Sequence, residues 1–140
     1  MPWYWVNQGQ HQAAEVELGV ISAPVPKDRT VAHWELDRIP VGSRLFGCAH
    51  RVVSIVGTTS ARAERRPSKP YPDPQGYRDV WVVAVDWEAL GDPFRVDDIP
   101  LSVRAGHTPF NKHGDGLQRY CIELPLLGPV RAWLAERLPA

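Results

Sequence analysis

Cysteine is scarce in this chain, with only Cys48 and Cys121 present. Two residues so far apart give neither a metal-ligand spacing nor a disulfide framework, so a hydrophobic core must do the work of stabilisation. No apolar run is long enough to cross a bilayer and no basic-then-apolar segment opens the sequence. A soluble cytoplasmic protein with no membrane partner is therefore expected. The strings GxxxxGK[ST], HExxH and GxSxG are missing, which removes three common signatures of enzyme chemistry. Ser22, Ser54 and Ser60 lack any context that would activate a hydroxyl, and nothing calls for a cofactor.

A surplus of charge is also lacking, since 16 Lys and Arg balance 16 Asp and Glu. The charges are nevertheless unevenly placed. Six bases between Arg44 and Lys69 face one acid, Glu64, whereas six acids between Asp79 and Asp98 face Arg95 alone. This predicts one basic and one acidic surface, and local potential matters more to a polyanion than the total does. Two solvated faces with no partner are the plainer reading of the same pattern.

What is present suits one domain, 1–140: at 140 residues and 44% hydrophobic content, the chain can bury roughly two thirds of its unfolded surface. Trp3 to Gln8 reads as a strand feeding a short helix over QHQAAEVEL, with Gly19 as its stop. RLFGCAHRVVSIVG, 44–57, predicts two strands with a turn near Ala49 and His50. Further strands are expected at 80–87 and 117–124, and a terminal helix should bury Val130, Trp133, Leu134 and Leu138. Trp81 and Trp87 are assigned to core and edge packing. The stretch 62–79, with four prolines, reads as a long surface loop carrying Arg65, Arg66, Lys69, Tyr71 and Tyr77, and 104–116 reads as a second loop.

That second loop holds His107, Asn111, His113 and Asp115. An HNH nuclease uses similar residue types, but spreads them over a hairpin and helix of roughly thirty residues so that they converge on a metal. Packed into one Gly-rich segment, they point to turn chemistry. A metal-dependent nuclease built on this loop stays as an alternative to a binding protein.

Taken in order, YWVNQGQ, GVISAP, HWELDRIPVGSRLF, VVSIVG, RRP, VWVVAVDWEAL and TPFNKHGDGLQRYCIELP resemble the EVE-type domain of the PUA superfamily, over nearly the whole chain. The likeness is to the versions that read modified DNA in modification-dependent restriction systems. It implies a mixed α+β fold, a PUA-like twisted sheet or pseudo-barrel with flanking short helices and a C-terminal helix, close to the YTH readers of methylated adenine. It also implies a noncatalytic sensor that flips a modified base of double-stranded DNA, modified cytosine foremost, into a pocket. A fused or associated nuclease, acting in restriction or phage defence, is the implied partner. An RNA-binding PUA-like module is the remaining alternative.

On that resemblance the pocket would draw on Asn7, Gln8, Gly9, Ser22, Ala23, His33, Trp34 and Tyr71, with Arg65, Arg66 and Lys69 on the nucleic-acid backbone. Carboxamides can pair with a base edge, although Asn7 and Gln8 also suit helix capping. Trp34 is the first candidate for a stacking wall, with core packing as its other reading. Relatives carry a tryptophan where ISAP has Ser22, which leaves either a pocket enlarged for a bulkier modification or a lost reading role. Ser43 replaces a usual acid and reads as turn chemistry. One buried methyl gives only roughly 0.8 kcal/mol, about fourfold, so a useful reader needs hydrogen bonds or shape exclusion as well.

Overall fold

The computed structural model describes residues 1–26 and 36–138. The chain forms β1 (Trp3–Asn7), α1 (Gln12–Leu18), β2 (Val20–Pro24), β3 (Arg44–Ala49), β4 (Val52–Thr59), β5 (Glu64–Ser68), β6 (Arg78–Arg95), α2 (Leu101–Arg104), β7 (Cys121–Glu123) and α3 (Pro129–Ala135). Six strands follow the order β2-β6-β4-β3-β1-β7 in a strongly curled half-barrel, and β5 pairs beside β4 on the long strand β6. The fold class is thus mixed α+β with a PUA-like twisted sheet.

The centre of the sheet explains why YWV is apolar throughout. β1 runs parallel to β3, and parallel strands are covered on both faces. Trp5 joins Phe46, Val56, Phe94, Leu124 and Trp133 in one core cluster, while Tyr4 and Val6 join Ile21, Leu45 and Val83 in the other. α3 buries Val130, Trp133 and Leu134 on the first cluster, as its spacing predicts, but it ends at Ala135, so Leu138 lies beyond the helix and packs against the cluster only partly buried. Trp81 and Trp87 are half-buried against the second cluster.

Four expectations need correction. The stretch 62–79 is not all loop, because Glu64–Ser68 pairs with Arg78–Val82 as a fully exposed strand. β6 runs to Arg95, well past Trp87, because its second half continues along β4 across a bulge. β7 covers only Cys121–Glu123 of the expected 117–124. Nor do the charges separate into two faces: β5 lies along the start of β6, which sets Arg65 2.6 Å from Asp79, and Arg66 pairs with Glu64 at 3.1 Å. Among the described residues no helix is long and apolar enough to cross a membrane.

Candidate nucleic-acid interface

β1 and β3 end side by side, and a cleft opens at their carboxyl ends. Its inner part, about 210 Å³, has Trp5 and Phe110 at its floor and Asn7, Cys48, His50 and Arg51 around it. Its outer part, about 420 Å³, continues past Asn7 along Gly116–Tyr120. His50 and Arg51 form the two-residue turn between β3 and β4, both with positive φ (53° and 62°). Turns of this kind favour Asn-Gly, so two ordinary side chains are held at the mouth in a conformation that costs free energy. Arg51 is drawn to Asp97 at 2.7 Å and Asp115 at 3.9 Å, and its guanidinium holds the Asp97 carboxyl below the usual range.

Asn7 fixes the outer wall. Its Oδ1 accepts from Trp5 Nε1 at 3.0 Å, while Nδ2 donates to the carbonyls of Leu117 (3.1 Å) and Arg119 (2.6 Å). The Asn7 N–H also donates to Tyr120 O at 2.7 Å. Both carbonyls flanking Gln118 are thereby clamped, and Gln118 itself is exposed, lines the cleft and has no hydrogen-bond partner among the described residues. Gly9 lines the inner part with a positive φ of 52° and open space where a Cβ would stand.

Behind this wall lies a buried carboxylate. Glu15, 0% exposed on α1, accepts from Gln8 Nε2 (3.0 Å), Tyr71 OH (2.6 Å), Tyr120 OH (2.6 Å) and the Ser22 N–H (3.3 Å). Gln8 Oε1 in turn accepts from Gln12 Nε2 at 3.1 Å. Burial raises the Glu15 pKa, against the opposing pull of the bonds from Tyr120, Tyr71 and Gln8. Burial and the neighbouring Glu15 likewise raise both tyrosines. Cys48, in the inner cleft, is pushed up to about 11 by burial, so its thiol stays protonated and unreactive at neutral pH.

The expected site residues therefore divide. Asn7 and Gly9 line the cleft. Gln8, Ser22 and Tyr71 are buried and turn their polar atoms toward Glu15, Ser22 Oγ also donating to Trp81 O at 2.9 Å, and Ala23 is buried in the core. Neither carboxamide caps a helix: Gln8 at the cap position makes no capping bond, and Asn7 is spent on its clamp. His33 and Trp34 lie outside the described residues. Arg65 and Arg66 are ion-paired as above, whereas Lys69 sits 5.6 Å from the ring centroids of both Tyr71 and Tyr77.

Sequence reasoning missed Glu15, Gln118 and Tyr120. The one available signal was the polar set Gln8, Gln12 and Glu15, which falls at i, i+4, i+7 and so on one helical face. The 104–116 loop is built by turn chemistry, for Asn111 Oδ1 accepts the N–H groups of His113 (2.9 Å) and Asp115 (3.0 Å). Among the described residues, no three His, Cys, Asp or Glu side chains gather where they could hold a metal ion. The cleft offers a ring, a free carboxamide and an apolar floor, a set suited to holding a flat polar heterocycle.

No family model matches the chain, and no curated protein matches it. Solved structures do resemble it. A Pseudomonas putida protein aligns over 97% of this chain and 99% of its own, with a TM-score of 0.63 at 11% identity. The YTH domain of Toxoplasma CPSF4 aligns over 99% and 88%, with a TM-score of 0.59 at 13% identity. The YTH domain of Zygosaccharomyces rouxii MRB1, solved with N6-methyladenosine RNA, aligns over 99% and 88%, with a TM-score of 0.57 at 14% identity. The chain shares its fold with the YTH domains.

Proposed function

We propose that this chain is a noncatalytic reader of modified nucleic acid, an EVE-type domain that takes a flipped, modified base of DNA, modified cytosine foremost, into the cleft beyond β1 and β3. The observation that carries the reading is the Asn7 clamp, which holds the carbonyls on both sides of Gln118 and presents one free carboxamide to the cleft. A base removed from its stack must recover hydrogen bonds and stacking from the protein. Gln118 supplies a donor and an acceptor for the base edge, and the Tyr120 ring beside it supplies a stacking surface. Gln8, Ser22, Tyr71 and Glu15 hold Tyr120 and the back of the pocket in place. Trp34, from its place in HWEL, is proposed as a further stacking wall. The biological setting that fits is a sensor fused to, or working with, a nuclease in restriction or phage defence.

An RNA ligand is the second reading, favoured by the fold shared with a YTH domain whose structure holds N6-methyladenosine RNA. Binding would be compared on duplex DNA, single-stranded DNA and RNA differing at one base: unmodified, methylated, hydroxymethylated or glucosylated cytosine, and N6-methyladenine. Preference for modified cytosine in duplex DNA is expected. Gln118→Ala should then lose about 5- to 150-fold in that preference, the range of one good bidentate contact, while melting like the wild type. A wild type that binds all these ligands equally would end the reader hypothesis.

A further inference from the structure

A second cavity, about 300 Å³, lies between β5 and the start of β6, with Ser68, Lys69, Tyr71, Asp73, Tyr77 and Arg78 around it. We infer that it is a subsite for the nucleotide flanking the one in the cleft, taking a phosphate and the ring attached to it. This rests on the reader assignment.

The accounting of charges points there. Arg65 is engaged by Asp79 through two bonds of 2.6 Å, and Arg66 by Glu64. Lys69 and Arg78 form no ion pair among the described residues, so a phosphate can engage them without breaking one. The carboxylate in the cavity, Asp73, is already tied down: Oδ1 accepts from the Gln75 N–H at 3.2 Å and Oδ2 from the Tyr77 N–H at 2.9 Å. Two cations and a hydroxyl therefore stand against one engaged acid. Tyr77 is 40% exposed, so that even with Lys69 Nζ 5.6 Å from its ring centroid it offers surface for stacking.

Position joins this cavity to the cleft. Tyr71 lines the cavity and Tyr120 lines the cleft, and each hydroxyl lies 2.6 Å from the same oxygen, Glu15 Oε2. A tyrosine from the lining of each site thus meets its counterpart at one buried carboxylate. A strand with one base in the cleft brings its neighbouring phosphate to Lys69 and Arg78.

The test is a salt titration of oligonucleotide binding by the full chain. Lys69→Ala with Arg78→Ala should weaken binding to modified and unmodified ligands by a similar factor, with the logarithmic salt slope shallower by about one. Tyr77→Ala should also weaken both, and Tyr77→Phe should restore binding, because the ring and not the hydroxyl is used. Arg65→Ala with Arg66→Ala is the comparison and should change the slope less. An unchanged slope in the Lys69 and Arg78 variant, beside an intact base preference, overturns the subsite and leaves the reader standing. A shallower slope in a protein whose wild type lacks base preference overturns the reader and leaves a phosphate site. Cytidine monophosphate that binds wild type as tightly as the oligonucleotide would place a free nucleotide here and overturn the assignment to a strand.

Discussion

Glu15 is the least expected residue in the molecule, an acid with no exposed surface on a helix whose other side chains face water or lie half-buried. Its four donors offset the cost of burying charge only in part, and its pKa is raised. The sign follows from linkage. A raised folded-state pKa means stability that is present at low pH and lost as pH rises through that value. His11 opposes this, because burial, with Lys69 beside it, lowers its pKa, and its contribution is lost as pH falls. Comparison with Glu15→Gln isolates the acid, since the hydroxyls of Tyr71 and Tyr120 can turn to accept from an amide. Thermal midpoints taken from pH 4 to 8 should show the wild type losing stability with rising pH relative to the variant. Parallel curves for the two proteins would mean that Glu15 does not titrate in this window.

At the scale of elements, legibility followed burial. Strands β1, β3 and β4 and helix α3 could be read because apolar residues recur at the right period along them. β5 could not, because ERRPS is exposed at every position and exists only through its pairing with β6. The segment 117–120 read as strand because it is regular in composition, yet it is the Asn7 side chain that holds Leu117 and Arg119 in place. The turn between β3 and β4 was legible in place but not in kind, since neither His50 nor Arg51 signals a left-handed conformation. Replacing that pair with Asn-Gly should stabilise the fold by about 2 kcal/mol, given a left-handed cost of about 1–2 kcal/mol per ordinary residue. The surface Arg51–Asp97 pair lost in the exchange is worth about 0–1 kcal/mol. Higher melting with weaker oligonucleotide binding is the expected result. Gain of both would show that the turn has no part in the interface.

Gly47 makes a related point about packing between elements. A Cβ there would run into Gln8 Oε1 and stand 2.6 Å from Ile55 Cγ2. The missing side chain is the space that Gln8 occupies on its way to Glu15. Gly47→Ala should cost about 1–3 kcal/mol, the usual range for overpacking. A neutral change would mean that Gln8 has another place to go.

For the whole molecule the question is how a half-barrel closes. β2 and β7 stand at opposite ends of the strand order, and an unpaired edge leaves backbone groups without partners. Tyr120, the residue before β7, spans the gap: its hydroxyl accepts from the Ser22 N–H of β2 at 3.3 Å and donates to Glu15. Polar bonds therefore close the seam, while apolar burial holds the sheet and α3. The strands of the sheet and α3 were legible because apolar periodicity reports the second of these, whereas the PUA-like arrangement came from the family resemblance. The seam was not, because its acid lies in a run of helix formers and its tyrosines lie in stretches that read as loop and strand. Tyr71→Phe with Tyr120→Phe separates the two. Each lost bond to a buried charged group should cost about 1.5–3 kcal/mol, and amide exchange at Ser22 and Asn7 should quicken while Trp5 and Phe46 in the sheet keep their protection. If exchange instead quickens evenly across the sheet, the seam and the core unfold as one unit, and the polar network is part of the core and not a closure laid over it.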